Sequence, residues 1–249
     1  MIVGAEAICC TEIAQVCLQC ARTAEALWLP AGSNNGAEAR LERFGPQAYP
    51  GHQAWPLLTS WWLKHTNGAT TPNWDIALSC EIQGRPGLIL VEAKANVSEL
   101  RKGGKRLDRE ASPNTLENHS HIGDAIDDAR VALDKQLHGI QISRDSSYQL
   151  SNRIAFAWKL ASLGIPTVLV YLGFIGDQGI WQAGAQFDSD AHWQRIFREH
   201  LSRVCPLQIL DGPIRAGEAD FWLQVRSRPV INHSPLAIPR ARARIGSTL

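Results

Sequence analysis

Residues 72–94 read PNWDIALSCEIQGRPGLILVEAK, and this stretch decides the fold. Its apolar run from Trp74 to Ile82 is bounded by Pro72-Asn73 before and Gln83-Gly84 after, and Gly87 then opens a second run, GLILVEAK. Two β runs joined by a short Gly/Pro turn predict a hairpin. Side chains alternate faces along a strand, so Glu92 and Lys94 project together while small Ala93 faces the other side. With the turn between Gln83 and Gly87, the start of the first strand pairs with the end of the second, and Asp75 lands beside Glu92. Charged side chains at the end of an apolar sheet are costly unless partnered. Two adjacent carboxylates repel unless a cation separates them, and hard oxygen donors suit magnesium or manganese. A metal there would polarise a phosphoryl oxygen and acidify a water, with Lys94 placed to position that water and offset charge on phosphorus. The bland counterpart is a surface ion pair between Lys94 and either acid on an exposed hairpin.

Working outward, a helix is expected over Gln53 to His65, bearing Trp55, Trp61 and Trp62. After the hairpin, RKGGKRLDREASPN predicts a flexible, exposed basic loop, and Thr115 to Leu137 a helix with Ile126, Ala129 and Leu133 at helical spacing. Tyr148 to Leu163, YQLSNRIAFAWKLASL, predicts a helix that Gly164 stops. Ile165 to Phe174 is a near-continuous apolar run, the pattern of a strand buried on both faces. Together these imply an α/β protein, a mixed central sheet with helices packed on both faces. The tail adds a helix from Asp190 to Arg203, a strand around Phe221 to Arg226 and the basic RARARIG. At the other end, Ala7 to Leu29 reads as an apolar helix, followed by a loop-like stretch with a short helical piece around Glu38 to Phe44. No repeat or linker is visible, so residues 1–249 are expected to form one domain: a core of about 53–174, an N-terminal helical extension 1–52 and a C-terminal extension 175–249.

The order Pro72-Asn73-Trp74-Asp75, hairpin, Val91-Glu92-Ala93-Lys94 resembles the PD-(D/E)xK nuclease superfamily, with its restriction-endonuclease-like fold. That pattern places D and (D/E)xK on two strands of a mixed sheet, preceded by a helix and followed by a helix and another strand. The resemblance covers roughly Gln53 to Phe174. It implies Asp75, Glu92 and Lys94 as catalytic residues, with Asp75, Glu92 and the Ala93 carbonyl holding magnesium or manganese and Lys94 assisting the attacking water. It also implies that polar residues on the helix after the hairpin reach the site, here Gln149, Asn152 and Arg153, of which Gln149 and Arg153 lie one turn apart. Two departures stand. Asn-Trp separates the Pro from Asp75, and the helix over Gln53 to His65 contains no acid, so Glu12 or Glu42 substitutes or the position is absent.

Composition frames these expectations. The chain has 249 residues, 45% of them hydrophobic, which suffices for a packed core and excludes a disordered or fibrous class. A net charge of +1 means that a polyanion must be met by a local patch. Arg101, Lys102, Lys105 and Arg106, with Arg109 beyond, form such a patch just after Lys94 and are the candidate phosphate contacts. Arg240, Arg242 and Arg244 are weaker ones. Four of six cysteines crowd the first twenty residues without a second CxxC or a His pair, so buried thiols are expected there and not a zinc site. His119, His121 and Asp124 form an HxHxxD whose histidines do not share a helix face. The absence of a Walker-type loop, a GxSxG elbow and a dinucleotide fingerprint excludes those classes. No span reaches roughly 18 apolar residues and the start lacks a basic signal, giving the expectation of a cytoplasmic, non-membrane protein. The functional expectation is a magnesium-dependent nuclease acting on nucleic acid, DNA foremost. Its rival is a catalytically silent nuclease-fold module that binds nucleic acid or a protein partner; a homodimer is also open.

Overall fold

The computed structural model describes residues 20–21, 26–29, 38–177 and 185–230. In chain order the elements are β1 (Cys20–Ala21), β2 (Trp28–Leu29), β3 (Ala39–Arg40), α1 (Leu41–Ala48) and α2 (Ala54–Trp62). There follow β4 (Asn73–Trp74), β5 (Ile76–Ile82), β6 (Arg85–Lys94), α3 (Pro113–Asp134) and α4 (Tyr148–Ser162). The chain continues through β7 (Thr167–Ile175), α5 (Asp190–Leu201), β8 (Ile214–Ala216) and β9 (Ala219–Pro229).

The hairpin forms as its alternation dictates. β5 and β6 pair antiparallel from Ile76↔Val91 to Ile82↔Arg85. Gln83 and Gly84 alone make the turn, both with positive φ (52° and 74°), the backbone hand that matches strand twist. The other strands extend this pair into a seven-stranded sheet of order β1-β5-β6-β7-β9-β8, with β2 sharing the outer edge of β5. β7 runs parallel to β6, and β9 parallel to β7, so the directions are mixed. Parallel neighbours need a crossover, which α3 and α4 supply between β6 and β7.

Alternation sorts the sheet into two faces. Leu88, Leu90, Leu169, Tyr171, Phe221 and Leu223 join one cluster to which all five described α-helices contribute. Leu78, Cys80, Ile89, Val91, Val168 and Val170 form a second, against which Cys20, Ala26 and Trp28 pack. The helix-flanked mixed sheet is therefore present, but among the described residues helices cover one face and not both. α4 is apolar nearly all round its circumference, as a helix between sheet and other helices must be. α3 starts where Ser112 caps the Thr115 amide and Pro113 takes the first turn.

Two expectations are corrected. Within the stretch read as a helix from Ala7 to Leu29, the described residues form β1 and β2. The edge of β5 supplies unpaired backbone groups that recruit them, with Ser79 N–H donating to the Leu27 carbonyl at 2.9 Å and Leu27 N–H to Ser79 Oγ at 2.8 Å. The rest of that stretch, including Cys9, Cys10 and Cys17, lies outside the described residues, as does the RARARIG tail. Beyond Phe174, the strand expected around Phe221 to Arg226 is present as β9, which pairs with β7 along nine positions, from Thr167↔Phe221 to Ile175↔Pro229. The basic stretch after Lys94 is an exposed loop as expected, but it is tied down and not free: Ser147 N–H donates to the Lys102 carbonyl, Tyr148 N–H to Gly103 and Lys105 N–H to the Arg144 carbonyl. Gly104 is needed for this closeness, because a Cβ there would lie 2.6 Å from the Asp145 carbonyl oxygen. Among the described residues no helix is long and apolar enough to cross a membrane.

Candidate active site

Asp75 sits at a bend where the chain leaves the sheet, between β4, which pairs with β3, and β5. The hairpin ladder ends at Ile76↔Val91, and one step further the Asp75 carboxylate takes over, Oδ2 accepting the Ala93 N–H at 2.6 Å. Glu92 continues the Leu88-Leu90 face against which α4 packs, and Lys94 shares it. The Lys94 ammonium donates to Glu92 Oε1 in a short ion pair. The three residues expected together are thus brought together, with Glu92 only 2% and Lys94 5% exposed.

Gln149 and Arg153, one turn apart on α4, both point at Glu92. Gln149 Nε2 donates to Oε1 at 2.7 Å and Arg153 Nε to Oε2 at 2.6 Å. Arg153 is itself held: Nη1 donates to Asn152 Oδ1 at 3.0 Å, Nη2 to the Asn73 carbonyl at 2.7 Å, and its guanidinium lies 4.5 Å over the Trp74 ring. Both oxygens of Glu92 therefore have protein donors. Burial alone would push the Glu92 carboxyl up, but Arg153 and then Lys94 hold it below the ordinary carboxylate value. Asp75 goes the other way, raised by burial first and by repulsion from Glu92 second, only partly offset by the Ala93 N–H, Lys94 and Arg153.

Two further residues belong to this environment and were not legible in the sequence. Tyr171 is the register partner of Glu92 on β7, its ring 4.6 Å from Phe197 and its buried hydroxyl without a hydrogen-bond partner. His200, 5% exposed on the last turn of α5, is held down to about 4 by burial first and then by Arg203, Lys102 and Lys94. Tyr171 reads as one more apolar-run residue, and His200 lies more than one hundred positions from Lys94 with no motif to join them.

A groove of about 1030 Å³ opens beside the site. Arg101, Lys102, Lys105 and Arg106 line it, together with Thr70 to Asn73 and Gln149, Asn152 and Arg153. Asp75, Glu92 and Lys94 are not among the lining residues, so Gln149 and Arg153 are the groups shared by the groove and the acid cluster. Lys105 is half-buried, its ammonium 5.2 Å over the Tyr148 ring and its pKa lowered by desolvation. Arg109 is exposed and lies outside the lining.

The remaining candidates separate. His119 Nε2 pairs with the Lys105 carbonyl and His121 Nε2 with that of Ser60, so the HxHxxD does not converge. Glu42, on α1, accepts the Thr71 N–H at 2.5 Å, and Glu12 lies outside the described residues. Among the described residues no three His, Cys, Asp or Glu side chains gather as a metal cluster. The oxygen donors at the site are Asp75, Glu92, whose two oxygens already accept from Lys94, Gln149 and Arg153, and the Ala93 carbonyl, all hard oxygens of the type magnesium and manganese prefer. Burial is the larger cause of the raised Asp75 carboxyl and repulsion from Glu92 the second, and a cation would relieve only the second. The hard-oxygen character of the donors is what fits such an ion. No protein-family model, curated protein or solved structure matches the chain.

Proposed function

We propose that the protein is a restriction-endonuclease-like, PD-(D/E)xK-type nuclease that hydrolyses phosphodiester bonds of nucleic acid, DNA foremost, with magnesium or manganese as cofactor. The observation that carries this reading is one juxtaposition. Two adjacent carboxylates and a buried lysine sit at the end of the β5–β6 hairpin, next to a groove walled by Arg101, Lys102, Lys105 and Arg106. Asp75, Glu92 and the Ala93 carbonyl would hold the ion. When bound, it supplies Lewis acidity toward a phosphoryl oxygen and lowers the pKa of a water. The chain's own contributions are positional: Lys94 orients the attacking water and offsets charge growing on phosphorus, the basic strap grips flanking phosphates, and Gln149 and Arg153 hold Glu92 in the free protein.

A second reading has its own support. Because Lys94, Gln149 and Arg153 already satisfy Glu92, the same fold serves as a silent module that binds nucleic acid or a protein without cutting it. The test is cleavage of plasmid, linear duplex, single-stranded and branched DNA and RNA with magnesium or manganese, comparing wild type with Lys94→Ala. Cutting that disappears in the variant and in EDTA supports the nuclease. Equal binding by both proteins with no cutting by either favours the silent module. Manganese uptake that survives Asp75→Ala and Glu92→Ala would remove these carboxylates as the metal site.

A further inference from the structure

Charge at the site is already matched, and this constrains how a cation could enter. Asp75 and Glu92 face Lys94 and Arg153, two carboxylates against two cations, and Gln149 takes a further position on Glu92 Oε1. A divalent ion added to this set brings uncompensated positive charge into a largely buried place, where charge is costly. Two of the three groups on Glu92, however, also line the cation-walled groove. Arg153 uses three N–H groups on Glu92, Asn152 and Asn73, and a guanidinium carries five. A phosphodiester in the groove therefore meets donors that Glu92 holds, offers them an anionic oxygen pair suited to a guanidinium, and carries the negative charge that a metal-loaded site lacks.

Resting on the nuclease reading above, we propose that Arg153 and Gln149 are exchangeable positioning residues. They hold Glu92 in the free protein and turn to the phosphodiester when nucleic acid enters the groove, which releases Glu92 to the cation. Groove occupation and cation uptake are then coupled, and by linkage each tightens the other. The class of ligand that drives the exchange is a phosphodiester backbone, whatever its base sequence.

Two binding measurements on the full chain test this without relying on cleavage. In EDTA, binding of a labelled DNA duplex with a single-stranded overhang is followed across a salt series. Glu92→Gln releases Arg153 to the phosphates, so the slope of log affinity against log salt steepens by about 0.7–0.9, the increment of one added phosphate contact. The steepening is absent when Arg153→Gln accompanies it. Without DNA, manganese uptake followed by electron paramagnetic resonance tightens about 10-fold in Arg153→Gln, a coupling of ordinary size. Gln149→Ala leaves the guanidinium in place and shifts uptake in the same direction by less. An unchanged slope in Glu92→Gln, or manganese affinity that neither Arg153→Gln nor Gln149→Ala raises, overturns the exchange and leaves the nuclease reading standing. A wild-type chain that takes up neither manganese nor DNA removes both.

Discussion

Glu92 is 2% exposed, and three protein donors stand in for the water it has lost. Truncating it leaves Arg153 and Lys94 buried without their counter-charge, so Glu92→Ala is expected to cost about 3–5 kcal/mol in chemical denaturation. Replacing Glu92 and Arg153 together by Met should cost less than the sum of the single changes, because neither member of that pair is left facing the other's absence, while Lys94 still loses Glu92. Near-additivity in this cycle would contradict the pairing. His200 makes stability depend on pH in a window of its own. Its folded pKa, about 4, lies below the ordinary 6.5, so its share of stability is complete above 6.5 and is lost as pH falls toward 4. Glu92, lowered, adds a second loss as pH falls below the ordinary carboxylate range. Asp75, raised, opposes that loss: its share is present in acid and disappears as pH rises through its folded pKa. The denaturation midpoint should therefore begin to fall below pH 6.5, and His200→Gln should flatten the stage between 6.5 and 4 while leaving the lower one. Identical profiles for wild type and variant would rule out His200 as the source.

Among the elements, the strap carrying Arg101 to Arg106 brings four cations to the groove. Its backbone is tied to the residues leading into α4, so its cations are presented and not merely tethered. A charge fixed in place loses less entropy on binding a phosphate than one on a free loop. Lys102→Ala and Arg106→Ala should each reduce the salt slope of DNA binding by about 0.7–0.9, whereas Arg109→Ala, outside the groove, should change it little. Equal effects at all three positions would mean that DNA does not follow the groove. α5 closes over the same end of the sheet because Gly173, the register partner of Lys94, has no side chain. A Cβ there would lie 2.5 Å from the Trp193 ring.

For the molecule as a whole, the hairpin is only part of a larger sheet. β9 occupies the far edge of β7, while β8 and α5 complete the cover around it. A chain ending after Phe174 would expose the β7 edge and the apolar face that Phe221 and Leu223 share, which invites edge-to-edge association. Such a truncation should lose cooperative unfolding and aggregate, as read by circular dichroism and light scattering. A soluble, cooperatively melting fragment would restore the shorter core. With a net charge of +1, long-range attraction for a polyanion is weak, so nucleic-acid binding should depend on the groove cations and not on the average charge.

The sequence by itself determined what local periodicity encodes. Alternation set Glu92 and Lys94 on one face, the short turn set Asp75 opposite Glu92, and helical spacing placed Gln149 and Arg153 one turn apart. Each depends on residues a few positions away or on a single short turn. Only the tertiary structure decided the rest. The apolar N-terminal stretch contributes β1 and β2 because the edge of β5 needed backbone partners. The polar strap is fixed because residues some forty positions later bond to it. Most of all, Arg153 could have solvated a helix face, as its sequence surroundings allow. It is buried on Glu92 because the crossover from β6 to β7 lays α4 across that face of the sheet, where an unpartnered carboxylate needed a cation. Long-range packing of this kind leaves no periodic trace in the chain, so it is settled only when the whole sheet has formed.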